Sequence, residues 1–129
     1  MKLLLEQLLD MLKALSDKTR LRIFWVLKKA DRELCVCEII DAIEENQYNV
    51  SRHLKILKYS GLVTEQKNGR FVYYAISKAG NRVHKLLLEM VSAISNDTLP
   101  YDSKRLLKRL SLRKDGICVI GMQDKKHKK

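Results

Sequence analysis

Cys35-Val36-Cys37 is the segment best equipped for chemistry, with two thiols inside three residues and a third, Cys118, far along the chain. Thiolates are soft ligands, so the pair could grip zinc, cadmium or copper(I) and, by the same softness, trivalent arsenic. On a regular helix the side chains of residues i and i+2 point about 200° apart. Two sulfurs that share an ion through bonds of about 2.3 Å must lie within about 4 Å of each other. Ion binding is therefore expected to distort the backbone around Val36. Two other roles stay open for the pair: small buried hydrophobes, or the reversibly oxidised thiols of a redox sensor. No His or Asp stands at a spacing suited to a base, so a thiol enzyme is not expected. Cys118 reads either as a third ligand or, between Ile117 and Val119-Ile120, as part of a buried strand. A small-molecule thiol is another source of a third sulfur.

The second chemical signal is charge. The 129 residues carry 26 Lys and Arg against 15 Asp and Glu, a net +11, which points to a polyanionic partner, with nucleic acid ahead of an anionic membrane. The surplus is local. Residues 1–45 are net −1, residues 46–85 are net +7 with Glu65 as their sole acid, and residues 101–129 are again net +7. In the middle block Gln47, Tyr48, Asn49, Ser51, Arg52 and His53 are types that can meet base edges, Gln and Asn pairing with adenine and Arg with guanine. Lys55, Lys58, Lys67 and Arg70 are better suited to phosphates, which position a protein without reading sequence, and Arg70 is also a candidate for a minor groove. His84 and His127 stand apart from any ligand set.

These side chains need elements to hold them. Hydrophobic residues at 46% and charged ones at 32% suit one globular domain rather than a disordered chain. Leucines at helical spacing predict a first helix over residues 3–15, with Ser16 capping a second over 17–29. Glu33 to Ile43 reads as a third helix. Asn46 caps a fourth whose Val50, Leu54 and Leu57 face inward, and Gly61 stops it. Residues 62–67 and 70–76 are β-prone segments joined by Asn68-Gly69, a hairpin signal. Ser77 is the expected cap of a last helix carrying Val83, Leu86, Leu87, Met90, Val91 and Ile94 as a wide apolar stripe. That stripe and the leucines of the first helix are expected to pack together and to form a dimer interface.

The order helix, turn, helix, hairpin describes a winged helix-turn-helix: mainly α with a β-hairpin wing, dimeric through its first and last helices. Residues 1–97 form the expected DNA-binding and dimerisation domain, and 98–129, after a boundary near the only proline, Pro100, a basic C-terminal tail. The odd cysteine count favours thiols over disulfides. No run of about eighteen apolar residues occurs, and the charged start is unlike a signal peptide, so the expected location is the cytoplasm, without membrane partners.

Four stretches in order resemble the ArsR/SmtB family of dimeric metal- and metalloid-responsive repressors. Leu15-Ser16-Asp17-Lys18-Thr19-Arg20-Leu21-Arg22-Ile23 is similar to the family run ALSDPTRLRIL, with Lys18 in place of proline. Glu33-Leu34-Cys35-Val36-Cys37-Glu38-Ile39 resembles the metal box ELCVCDL. Asn49 to Lys58 with Ser60-Gly61-Leu62-Val63 resembles the recognition helix and its exit, and Gly69-Arg70-Phe71-Val72-Tyr73-Tyr74 the wing. The resemblance spans residues 3–95. It implies a homodimer that covers double-stranded operator DNA and leaves it when an inducing ion binds, with arsenite first among the inducers and cadmium, lead or zinc as alternatives. Many arsenic-responsive members carry a third cysteine three residues after the second, where this chain has Ile40. A redox-sensing repressor of the same fold is the other alternative.

Overall fold

In the computed structural model, which describes residues 3–78, 81–114, 116, 118, 119 and 121, the elements run α1 (Leu5–Leu15), α2 (Lys18–Ala30), β1 (Leu34–Cys35), α3 (Val36–Ile43), α4 (Gln47–Tyr59), β2 (Val63–Asn68), β3 (Phe71–Ile76), α5 (Arg82–Ser92) and α6 (Pro100–Leu110). The expected lysine-rich end beyond residue 121, including His127, lies outside the described residues, as do Ile117 and Ile120.

Helix α2 is the hub. Its run Ile23-Phe24-Trp25-Val26-Leu27 is buried all round, as a helix enclosed by others must be. It touches every other helix and the wing strand β3. The helix-turn-helix, α3 and α4, buries Ile39, Ile43, Val50, Leu54 and Leu57 against it.

The helix ends follow local chemistry with two shifts from the sequence reading. Asp17, not Ser16, caps α2 by accepting the Arg20 amide, while the Ser16 hydroxyl donates back to the Leu12 carbonyl and closes α1. Asn81, not Ser77, caps α5 through the His84 amide. Asn46 caps α4 through the Asn49 amide, and Gly61 follows that helix at φ 86°. In the wing Asn68 pairs with Phe71, so the loop is Gly69-Arg70 rather than Asn68-Gly69. Gly69 has φ 63° at the first loop position, where a tight hairpin turn favours glycine.

Two differences bear on the site. The helix expected over residues 33–43 starts only at Val36. Leu34 and Cys35 are extended and form β1, which pairs antiparallel with β3, Leu34 opposite Tyr74 and Cys35 opposite Tyr73, so the wing is a three-stranded sheet of order β1-β3-β2. Ladder bonds and the complete burial of Leu34 outweigh one more helical turn here.

The segment after Pro100 does not begin as a solvated tail. Pro100 opens α6, which packs along α3 and α2 with Leu106 fully buried. Charge suggested exposure, but the arginines face acids: Arg22 and Arg105 enclose Asp102, Arg105 also meets Glu44, and Arg109 meets Asp41. Arg105 and Arg109 are one helical turn apart, so they present their cations to a single neighbour, α3.

Within the protomer α1 and α5 each pack chiefly on α2. Their outer faces leave Leu5, Leu9, Leu12, Leu86 and Met90 exposed.

Candidate functional site

Cys35, Cys37 and Cys118 meet although they come from three different segments. Cys35 ends β1 and caps α3, Cys37 lies in the first turn of α3, and Cys118 arrives from the chain after α6. Their sulfurs all lie within 4.8 Å of one another, Cys118 standing 2.9 Å from Cys35 and 3.7 Å from Cys37. Because Cys35 is extended, the 200° separation expected on a helix does not apply, and the thiols converge without the distortion at Val36 that the sequence suggested. Cys35 and Cys118 are buried and Cys37 is half-buried.

Charged side chains build this site. Glu38, fully buried, accepts the Cys35 amide at 3.0 Å and is gripped by Arg113, whose Nε and Nη2 lie 2.6 Å from its two oxygens. Arg113 also donates to the Glu33 and Gly116 carbonyls, at 2.8 and 3.2 Å. Arg109, with a side chain 2% exposed, donates to Asp41 at 2.7 Å, to the Gly121 carbonyl at 3.1 Å, to Cys37 Sγ at 3.6 Å and to Cys118 Sγ at 4.0 Å. These contacts fold the chain after α6 back over α3 and deliver Cys118.

The thiols are not equivalent. Cys37 is drawn down to about 6, chiefly by its hydrogen bond with the Cys35 thiol, against the opposing effect of burial, and further by Cys118 and the Arg109 cation. Cys35 is pushed up by its bond with Cys37 and by burial. Burial also raises Cys118. Thiolate character therefore concentrates on Cys37, the sulfur with the most access to solvent.

The thiols connect to the wing. Cys35 is opposite Tyr73 on β3, and Tyr73 packs against Cys35 and Cys118. Arg70 at the wing tip donates to the Val119 carbonyl at 3.3 Å and stacks its cation 4.9 Å from the Phe71 ring. A cleft of about 430 Å³ opens from Cys35 and Cys37 between α4 and the wing, with Gln47, Ser51, Lys55 and Arg70 among its walls.

The residues expected to meet DNA separate into groups. Gln47, Tyr48, Arg52 and Lys55 are exposed on α4, with Asn49 and Ser51 half-buried beside them, and Lys67 is exposed on β2. Lys58 is exposed and paired with Glu65 at 2.8 Å. His53 differs from its expected place on the reading face: it is only 7% exposed, with Nδ1 3.1 Å from the Arg20 guanidinium and 3.9 Å from Asp17. On α4 it falls three residues after the buried Val50 and next to Leu54, hence on the inward face.

Sequence reasoning missed Glu38, Asp41, Arg109 and Arg113. A signal existed: Arg105, Arg109 and Arg113 recur every fourth residue, and Glu38 and Asp41 share a helix face at a spacing of three.

Fold and site together define a winged helix-turn-helix protein with a three-thiol cluster at the joint between helix-turn-helix and wing. The family described as "Bacterial regulatory protein, arsR family" matches residues 17–65. The chain is 33% identical over 112 residues to the arsenic resistance transcriptional regulator ArsR2 of Pseudomonas putida, covering 84% of this chain and 95% of that protein. It is 41% identical over 69 residues to the arsenical resistance operon repressor of Escherichia coli, a match that spans 54% of this chain and 58% of that protein. Among solved structures, the homodimeric winged helix-turn-helix DNA-binding domain Mb0332 of Mycobacterium bovis, described as a possible ArsR-family transcriptional regulator, superimposes with a TM-score of 0.58 at 30% identity, over 74% of this chain and 83% of that one. The chain belongs to the ArsR family of bacterial regulatory proteins. Among the described residues, no helix is long and apolar enough to cross a membrane.

Proposed function

We propose that this protein is a homodimeric transcriptional repressor that leaves its operator when Cys35, Cys37 and Cys118 take up a thiophilic ion, arsenite above all. The observation that carries this reading is the convergence of three sulfurs within 4.8 Å, from segments as far apart as residues 35 and 118. Three thiols suit trivalent arsenic. Arsenous acid has three hydroxyls that leave as three waters, two with a thiol proton from Cys35 and Cys118 and the one displaced by the Cys37 thiolate with a proton from solvent, so three As–S bonds replace three As–O bonds with no oxidation or reduction. Among the described residues no His or carboxylate joins the sulfurs to make the four-ligand set of a structural zinc site. Relatives named for arsenic resistance support arsenite, and a Staphylococcus aureus relative named for cadmium resistance supports cadmium as the alternative.

In the DNA complex Gln47, Asn49, Ser51, Arg52 and Tyr48 face base edges, while Lys55, Lys58, Lys67 and Arg70 hold phosphates. The dimer forms through the exposed rows of α1 and α5, which a monomer would leave wet. Induction works through the joint. Three sulfurs bonded to one centre tie β1, the start of α3 and the chain after α6 into one rigid unit, β1 is paired to the wing strand β3, and Arg70 is already hooked to that chain through Val119. A wing fixed in this way no longer adjusts to the groove beside α4. Reciprocity then requires DNA to weaken ion binding by the same factor, about 2.7 kcal/mol for a 100-fold effect.

The test is operator release, measured by fluorescence anisotropy on a duplex that the protein itself selects from a random pool. Arsenite should free the wild type, while Cys35→Ser and Cys37→Ser should stay dimeric, bind the duplex and ignore arsenite. Release from the double variant would refute the ion reading. A redox repressor draws on the same 2.9 Å approach of Cys35 and Cys118. Hydrogen peroxide would join the two thiols as a disulfide and leave two waters, so release by peroxide with loss of two titratable thiols, and none by arsenite, would favour it.

A further inference from the structure

The thiols and the side chains expected to meet DNA share one cleft. Cys35 and Cys118 are at most 2% exposed, Cys37 is half-buried, and Cys35 and Cys37 both line the cleft between α4 and the wing. Cys118 lies outside that lining, on the chain that Arg113 and Arg109 hold through the Gly116 and Gly121 carbonyls. Among the described residues, the cleft is therefore the route by which an ion from solvent meets its first sulfur. One wall is a stripe of α4, because Gln47, Ser51 and Lys55 recur every fourth residue and share a face. The facing wall is the wing, with Arg70, Phe71 and Val72. Lys55 and Arg70 are exposed cations, while Glu65, the acid in the lining, is already engaged by Lys58 at 2.8 Å and by the Tyr74 hydroxyl. The mouth suits an anion.

The geometry of a duplex says which anion. The two grooves of B-DNA are parted by a sugar-phosphate strand, and a recognition helix lies in the major groove. With α4 there, the wing beside it reaches the strand that borders that groove or the minor groove beyond. In either case that strand runs across the gap between helix and wing. We infer that the cleft between α4 and the wing seats one sugar-phosphate strand of the operator and is also the entrance to Cys35 and Cys37, so that DNA and inducing ion use one doorway. The inference rests on the proposed reading that these thiols hold the ion and that α4 and the wing hold DNA. It adds an order of events. Lys55 and Arg70 clamp phosphates over the mouth, the thiols behind them are closed to solvent while DNA is bound, and the ion enters only after the dimer has left its operator by itself. Induction then works by capture of the free dimer, whose return to DNA the bound ion prevents, and not by attack on the complex.

Two measurements on the full chain test this, both with the duplex that the protein selects. In stopped flow, arsenite added in rising amounts to the preformed complex with labelled duplex should release it at a rate that levels off at the spontaneous dissociation rate, set separately by an excess of unlabelled duplex. In the second, iodoacetamide labelling of Cys37, read by mass spectrometry of its peptide, should be at least about tenfold slower with saturating duplex than without, since the reagent must wait for DNA to leave. Release that keeps accelerating with arsenite beyond the spontaneous rate would overturn the inference, whatever the labelling shows. Labelling of Cys37 at equal rates in the free and the DNA-bound protein would overturn it as well. Both results leave the ion reading intact, because arsenite still releases DNA. A complex that arsenite never releases would instead refute that reading and the inference with it.

Discussion

Arg113 grips Glu38 with one edge of its guanidinium, Nε and Nη2 each 2.6 Å from a carboxylate oxygen, although 75 residues separate them. The same carboxylate holds the Cys35 amide, and the same guanidinium holds the Gly116 carbonyl two residues before Cys118. One buried ion pair thus sets the backbone at the first thiol and returns the chain that carries the last.

Removing one member of this pair leaves the other charge buried without its partner. Arg113→Ala should cost about 3 to 5 kcal/mol of stability, read from urea unfolding, as expected for a buried charge stripped of its counterion. It should also weaken arsenite binding while leaving operator affinity near normal. A loss below about 1 kcal/mol, the usual worth of a surface pair, would mean that the chain after α6 is not anchored in this way.

The apolar rows on α1 and α5 should disappear into a second subunit. Leu86→Glu with Met90→Glu should yield monomers in sedimentation at micromolar concentration and abolish operator binding, because two half-sites are read only by two joined recognition helices. A double variant that remains dimeric would place the interface elsewhere.

Contacts with DNA should divide by type. Arg52→Ala should cost about 1 to 3 kcal/mol and relax preference at one position of each half-site, whereas Lys67→Ala should weaken all sequences alike and flatten the salt dependence. His53→Gln should act on stability instead, since the ring is buried beside Arg20. Equal loss of specific and non-specific affinity in Arg52→Ala would move the reading face off this side of α4.

Much of this arrangement was legible because it is local. Asn46 and Gly61 frame α4 through side-chain capping and a left-handed backbone, and the wing announced itself through Gly69 between β-prone runs. What escaped the sequence was set at long range. Leu34 and Cys35 form a strand of two residues only because Tyr73 and Tyr74 lie opposite, and nothing in Glu33 to Ile43 marks the break. His53 looked like a reader because α4 is basic, yet its position relative to Val50 and Leu54 turns it inward. Arg109 and Arg113 looked solvated until Asp41 and Glu38 were found beneath them. In sequence Cys118 reads equally as ligand or as strand, because its own neighbours carry no sign of the ion pairs that fold it back.

Acid should destabilise the protein before its carboxylates titrate. Burial lowers His84, and burial lowers His53 against the pull of Asp17, with Arg52 and Arg20 adding to the shift. The unfolded chain then takes up protons first as pH falls, so this contribution to stability is complete above the ordinary histidine value of 6.5 and is lost as pH drops from there through the folded values. The melting temperature should fall between about pH 7.5 and about pH 5, a span that brackets the ordinary histidine value and extends below it towards the lowered folded values, and His84→Gln should fall less steeply. A melting temperature that rises on acidification would contradict the burial of both rings.

The most direct measurement is a count of sulfur atoms around the bound ion. X-ray absorption at the arsenic edge, on the arsenite-loaded full chain, should show three sulfurs and no oxygen in the wild type, and two sulfurs with one oxygen in Cys118→Ser. Two sulfurs in the wild type, or three in Cys118→Ser, would contradict a site shared by Cys35, Cys37 and Cys118.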